Sequence, residues 1–354
     1  MIATVVSLYS LLLGTAIMLL GAGLLGTLLG VRAGMEGFSG TVTGLIMSGY
    51  FVGYVFGSYY CPRLIRRFGH VRTFAALAAT ASAVVIVQGL LIHPYVWWLL
   101  RMFTGVCMVG LYLVIESWLN EQSERHRRGR VFATYMTVNL LAMGIGQFLL
   151  LLYGAGELAS FALVALLTSM ALVPIAFTRV PEPRPLEVPH LHLRRLIRIS
   201  PLGTAGAFVT GLGNGAFWGL APLFSHHIGL RDIGVASFMS AVILGGALLQ
   251  GWIGHQSDQR DRRGVLMVVC FLSAATAGFV ALSAGMSLPA LVAGAVLFGA
   301  FSFSVYSLAV AHTNDHIEAG EALEATTGLL LLNGIGAAVG PILAGALTEF
   351  VGPR

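Results

Sequence analysis

The 354-residue chain is 57% hydrophobic and only 10% charged, against about 25% charged residues in a soluble domain. That is too little charge to cover a water-facing surface, and it excludes a soluble enzyme, a secreted disulfide scaffold and a disordered chain. The net charge of +5 comes entirely from arginine, with no lysine. The arginines stand in short clusters between apolar runs, which reads as membrane topology rather than nucleic-acid binding.

Taken in chain order, the apolar runs predict eleven membrane spans at about 3–30, 40–61, 73–92, 96–119, 131–153, 158–178, 203–225, 234–255, 264–284, 288–311 and 325–350. The first run follows Met1 without a basic segment and is too long for a signal core, so no cleavable signal is expected. One long polar stretch, 179–202, separates six spans from five and reads as a linker. Cys61, Cys107 and Cys270 are widely spaced and form neither a disulfide framework nor a metal motif.

The loops after even-numbered spans, together with the linker, hold sixteen arginines: Arg63, Arg66, Arg67, Arg72, Arg125, Arg127, Arg128, Arg130, Arg179, Arg184, Arg194, Arg195, Arg198, Arg260, Arg262 and Arg263. The opposite side holds only Arg32, Arg231 and Arg354, and Arg101 lies inside a span. This asymmetry places the N-terminus, the linker and the arginine-rich loops in the cytoplasm. An internal repeat offset by about 190 residues pairs LLAMGIGQ at 140–147 with LLLNGIGA at 330–337. Two like-oriented halves of six spans predict a twelfth span after Arg354. A truncated gene or a fragment is therefore expected, with an eleven-span protein as the alternative.

The loop after the eighth span carries Gly254, Asp258, Asp261, Arg262 and Arg263. Gly254 allows close helix approach, and an Asp258 carboxylate can accept hydrogen bonds from a helix N-terminus and an arginine, latching the halves together. The pattern resembles the cytoplasmic loop signature of the major facilitator superfamily, with Asp261 where the family usually has glycine. The first-half copy keeps Gly69 but has Pro62 and Arg66 where the pattern wants Gly and Asp. Ordinary positively charged loops are the alternative reading of both copies.

In the fourth span Arg101, Gly105, Met108, Tyr112 and Glu116 form one stripe within about 80° at helical spacing. Arginine followed by glycine four residues on resembles the superfamily's fourth-helix motif. Arg101 and Glu116 are about 22 Å apart along a helix and cannot pair. Arg101 either binds an anionic group or a proton-linked partner in a cavity, or snorkels outward and bonds backbone carbonyls. Glu116 either latches to Arg66 or Arg67 or carries a proton.

The eleventh span holds Gly334, Gly336, Gly340, Pro341 and Gly345. It resembles the glycine-proline motif of fifth helices in antiporters, displaced here to the second half, so no antiport follows. Gly336, Gly340 and Pro341 are candidate bending points, with plain packing as the alternative. Glu116-Ser-Trp-Leu-Asn120, Arg128-Gly-Arg130 and Tyr135-Met136, together with the GIGQ run at 144–147, look like the poorly characterised bacterial YcaD-like branch of the superfamily.

That resemblance implies an all-α integral membrane protein of two halves related by a pseudo-two-fold axis along the membrane normal. They are residues 1–178 and 203–354, joined by the linker at 179–202, with the last helix missing. It also implies alternating-access transport of a small solute across a bacterial inner membrane by a monomer, with proton coupling open. It implies no cofactor, metal, catalytic residue or nucleic-acid partner. A non-transporting sensor or scaffold is the alternative.

Cavity candidates are Arg101, Tyr112, Tyr135, Asn139, Gln147, Asn214, Trp218, Tyr306 and Asn333, with Tyr50 beside them; each amide could equally bond a neighbouring helix. Gly69, Glu116, Gly254, Asp258, Arg262 and Arg263 are the gate candidates. Trp97 and Trp98 read as interface anchors, and His312 and His316 as a solvated helix end. No phosphate-binding loop or hydrolase motif is present.

Overall fold

The computed structural model describes residues 2–123, 128–176, 193–283, 287–317 and 322–351. Arg125, Arg127, Arg179, Arg184, His190, His192 and Arg354, and with them most of the linker, lie outside the described residues. All regular structure among the described residues is helical. The first half comprises α1 (Ile2–Met35), α2 (Gly40–Phe68), α3 (His70–Leu90), α4 (Pro94–Gln122), α5 (Arg128–Gln147) with a short α6 (Leu150–Tyr153), and α7 (Leu158–Met170) with α8 (Leu172–Ala176). A short α9 (Leu193–Ile199) precedes α10 (Pro201–His227), α11 (Asp232–Gln259), α12 (Arg262–Ser283), α13 (Leu288–Asn314) and α14 (Ala322–Val351). Nine of the eleven expected spans hold one helix each, while 131–153 holds the pair α5 and α6 and 158–178 the pair α7 and α8. Ten are long and apolar enough to cross a membrane; α10 has the length, but its repeated glycines dilute its hydropathy.

The halves repeat one packing scheme. In the first, α1 packs on α5, α2 on α4 and α3 on α4; in the second, α10 packs on α14, α11 on α13 and α12 on α13. The halves meet where α2 packs on α14, α1 on α10 and α5 on α11. In the first half α7 also covers α1 and α3. The corresponding face of α12 is open among the described residues, leaving Phe271 73% exposed.

Small residues set these crossings, because between helices in lipid it is close backbone approach that creates contact. A Cβ at Gly53 would strike the Met102 carbonyl oxygen, and one at Gly105 the Tyr50 carbonyl oxygen. Gly49 and Gly57 continue this seam between α2 and α4, against Trp98 and Val106 respectively. The α10–α14 seam is built alike: Gly336 lies on the Phe208 carbonyl and Gly340 on that of Leu212. Gly336 and Gly340 are thus packing contacts, and α14 runs unbroken through Pro341. Pro341 itself sits where α2, α10 and α14 meet, its carbonyl against Gly44 and its ring against Gly219.

Two buried side chains also join elements. Gln147 is fully buried and donates to the Gly23 and Met143 carbonyls at 3.0 and 3.1 Å, while Thr27 donates to its Oε1. It ties α5 to α1. Gln147→Leu should lower stability by about 1–3 kcal/mol, since it orphans Thr27 and a buried carbonyl; thermal unfolding in detergent checks this. Trp97 is fully buried and donates from Nε1 to the Gln88 carbonyl at 2.9 Å, so it is a core residue and not an interface anchor.

The seam between halves is closed at one end. At the end away from the arginine-rich loops, Gly345 lies on the Gly40 carbonyl, Gly30 against the Pro222 ring, Gly34 against His226, and the Thr41 N–H donates to Glu349 at 3.2 Å. Nearer the middle, a Cβ at Gly144 would come within 3.1 Å of the Leu244 side chain. Toward the arginine-rich end the faces of α5 and α11 that continue this line carry exposed side chains: Leu141 is 47% and Leu248 68% exposed. Beyond them a Cβ at Gly251 or Gly254 would meet nothing within 4 Å.

Candidate functional site

A cavity of about 360 Å³ lies between the halves near the middle of the helices. The first half supplies Ala22, Leu25 and Gly26 from α1, Tyr50, Phe51 and Tyr54 from α2, Ala81 and Val85 from α3, Arg101, Thr104, Met108 and Tyr112 from α4, Met143 from α5, and Val164 and Thr168 from α7. The second half closes it with Asn214 and Trp218 of α10 and Leu330, Asn333 and Ala337 of α14. Most of the wall is apolar or aromatic, with a few polar groups converging on the space, as in small-molecule sites generally.

Arg101 is the one cation in this lining, and it is only 8% exposed. Its guanidinium sits over the Tyr50 ring, 4.6 Å from Cζ to the ring centre, and its Nε has no hydrogen-bond partner. The glycine seam explains this geometry. Gly49 and Gly105 bring α2 and α4 together, so Tyr50 lies against the arginine one turn before Gly105. On the facing wall, Asn214 Oδ1 is buried without a partner, whereas Asn333 donates to the Ala207 carbonyl at 3.0 Å. Trp218 stacks on Phe303, ring centres 6.3 Å apart, which fixes its plane.

Five of the nine expected cavity residues therefore face this space: Arg101, Tyr112, Asn214, Trp218 and Asn333, with Tyr50. The other four do not. Gln147 is the α1–α5 tie described above. Tyr135 is fully buried and donates to Glu116 Oε1 at 3.1 Å. Asn139 lies one turn beyond Tyr135, with its Oδ1 buried and unpartnered. Tyr306 packs in a separate cluster around Leu196 and Leu329. In each case the periodicity identified an inward face without distinguishing the cavity from the seams beside it. Conversely, Tyr54, Thr104 and Thr168 line the cavity without having been singled out; Tyr54 lies four residues after Tyr50, the spacing that marks a shared face.

The gate candidates are dispersed. Gly69 adopts φ +83° at the α2–α3 junction, and its N–H closes α2 on the Ile65 carbonyl at 2.9 Å; such a φ is cheap only for glycine. Glu116 is held by Tyr135 and forms no ion pair with Arg66 or Arg67. A Cβ at Gly254 would meet nothing within 4 Å, so no helix among the described residues is packed against it. Arg262 bonds Asp258 at 2.9 Å and Asp315 at 2.6 Å. Asp258 is thus engaged within the second half rather than latched across to the first.

Asp261, which departs from the family pattern, has a local reason. Its carboxylate accepts from the Arg263 and Gly264 N–H groups at 3.4 and 3.2 Å, capping the start of α12. His312 is buried, with its ring 4.5 Å from that of His316, while His316 and the neighbouring Asn314 and Asp315 are exposed, so of the two histidines only His312 is packed and the helix tip is solvated. Because the Arg262–Asp315 pair is partly exposed, Asp315→Asn should cost only about 0.5–1 kcal/mol and less in high salt. A double-mutant cycle with Arg262→Gln, read by thermal unfolding, measures the coupling.

The sequence matches the family model described as Major Facilitator Superfamily over residues 11–202 and 203–354. It is 27% identical over 342 residues to an uncharacterized MFS-type transporter of Enterobacter sp. (strain 638), spanning 96% of this chain and 88% of the relative. The uncharacterized MFS-type transporter YcaD of Escherichia coli O17:K52:H18 matches at 27% identity, with the same shares covered. Among solved structures, a mutant of the nucleoside transporter NupG superposes with a TM-score of 0.81 at 13% identity, covering 97% of this chain and 92% of that one. A D-xylose-proton symporter gives 0.68 at 14% identity, covering 96% and 89%.

Proposed function

The chain belongs to the Major Facilitator Superfamily, and on that premise we propose that it is a secondary transporter, not an enzyme, carrying a small solute across a bacterial inner membrane by alternating access. The observation that carries this reading is the cavity walled by both halves, under a seam that is closely packed at one end and lined by exposed leucines toward the other. Rocking the halves about α1, α2, α10 and α14 would close the arginine-rich end and part the glycine seam at the opposite end. We place the arginine-rich end in the cytoplasm on the charge asymmetry.

Proton coupling rests on Glu116, the carboxylate within the α4 span, hydrogen bonded to Tyr135. The test is reconstitution into liposomes followed by mass spectrometry of the lumen after exposure to a mixed pool of small metabolites. The expected result is protein-dependent entry of at least one solute class, with Glu116→Gln removing any response to an imposed pH gradient. Folded protein that moves nothing from sugars, amino acids, nucleosides and organic acids would refute transport and favour the sensor reading.

A further inference from the structure

We infer that the solute is an organic monoanion: a carboxylate, or an acid of like charge, on a small apolar or aromatic body. This deepens the transporter reading and rests on it. The argument begins with the charge in the cavity. Arg101 is more than nine-tenths buried, yet its described contact is only the face of the Tyr50 ring, and its Nε is unpartnered. A guanidinium offers five donors in a flat fork. A cation–π contact offsets only part of the cost of taking that charge out of water. No carboxylate stands in the cavity lining, among the described residues, to supply the remainder. An anion entering the space would meet an uncompensated positive charge in a low-dielectric setting, where charge-assisted bidentate bonds are strongest.

The rest of the cavity describes what the charge is attached to. Facing Arg101, the second half presents one unpartnered acceptor, Asn214 Oδ1, and the ring of Trp218, held in place by Phe303. The remaining wall is largely aliphatic and aromatic, including Phe51 and Met108. At about 30 Å³ per water molecule, the space holds about a dozen waters, which suits a small acid with a hydrophobic body and one further donor. A dianion would leave a charge unmatched, and a cation would be repelled. Because Arg101 belongs to the first half and Asn214 to the second, one molecule touching both would couple binding to the relative position of the halves.

The test uses the purified full chain and matched probes that differ only in the head group: benzoate, benzamide and benzylamine, then hexanoate and hexanamide, with lactate and benzenesulfonate to widen the acid set. Binding is read by thermal shift and by direct calorimetry in a chloride-free buffer, with chloride added in a separate arm. The expected result is that one or more acids bind, while their amides and amines bind at least about tenfold more weakly. Arg101→Lys should retain part of the preference, and Arg101→Gln should erase it. The acid–amide comparison on the unaltered chain decides the matter even where Arg101→Gln does not fold.

Silence from every acid, equal binding of amides, or occupancy by chloride alone would overturn the proposal. The two readings fail separately. Acids that bind without entering liposomes sink transport and leave the site. Transport of neutral solutes by Arg101→Gln at the unaltered rate keeps transport and sinks the anion.

Discussion

Gly53→Val should destabilise the protein by about 3 kcal/mol or more and abolish solute binding together with it, the largest effect expected of any single substitution in the first half. The Cβ of any residue at 53 would clash with the Met102 carbonyl oxygen, which is backbone and cannot rotate away. Overpacking of a tight contact costs about 1–3 kcal/mol even where side chains can adjust, and here α2 and α4 must separate as rigid bodies. That separation pulls Tyr50 off Arg101, so the wall of the cavity fails with the seam. Thermal unfolding in detergent reads the first effect, and the acid probes read the second. Gly26→Ala is the control, since a Cβ there meets nothing within 4 Å although the residue borders the same cavity; its stability should change little.

The second large effect concerns motion. Cysteines placed at Thr41 and Glu349, joined by a short thiol cross-linker, should stop net transport almost completely, and cleaving the linker should restore it. These residues are bonded across the halves at the closed end, Thr41 N–H to the Glu349 carboxylate at 3.2 Å, and alternating access requires them to part. Among the native cysteines Cys61 and Cys107 are buried and Cys270 is exposed, so Cys270→Ser precedes the experiment. Binding should persist in the cross-linked protein, because the link does not touch the arginine-rich end. Transport at an unchanged rate with the link in place would show that this seam does not move.

Much of the fold was legible in the sequence. Apolar runs of span length, broken by arginine and turn residues, located the helices because a membrane helix must satisfy its own backbone and remain apolar throughout. The repeat of the GIG run foretold two halves, and it lies where Gly146 on the Leu20 carbonyl and Gly336 on the Phe208 carbonyl take up equivalent places at helix crossings. The cavity was only half legible. Arg101 and Asn214 stand out in apolar runs because intramembrane polarity is costly. The same signal flags Gln147, whose amide is spent joining α1 and α5, and Tyr135, which serves Glu116. Pattern alone does not report whether a buried polar group is satisfied, and that depends on the neighbouring helix. Gly254 shows a related limit: a glycine permits close approach, but no helix among the described residues is packed against this one.

The central claim is that two rigid halves alternate around one cavity, and pulsed electron resonance on spin labels in nanodiscs tests it most directly. One label pair sits at Thr41 and Glu349 across the closed seam, and a second at the exposed Leu141 of α5 and Leu248 of α11. The account predicts two distance populations for each pair, shifting in opposite senses: when the Thr41–Glu349 pair is short, the Leu141–Leu248 pair is long, and a bound acid changes the ratio. A single fixed distance at both pairs, unmoved by any acid or pH gradient, would contradict it.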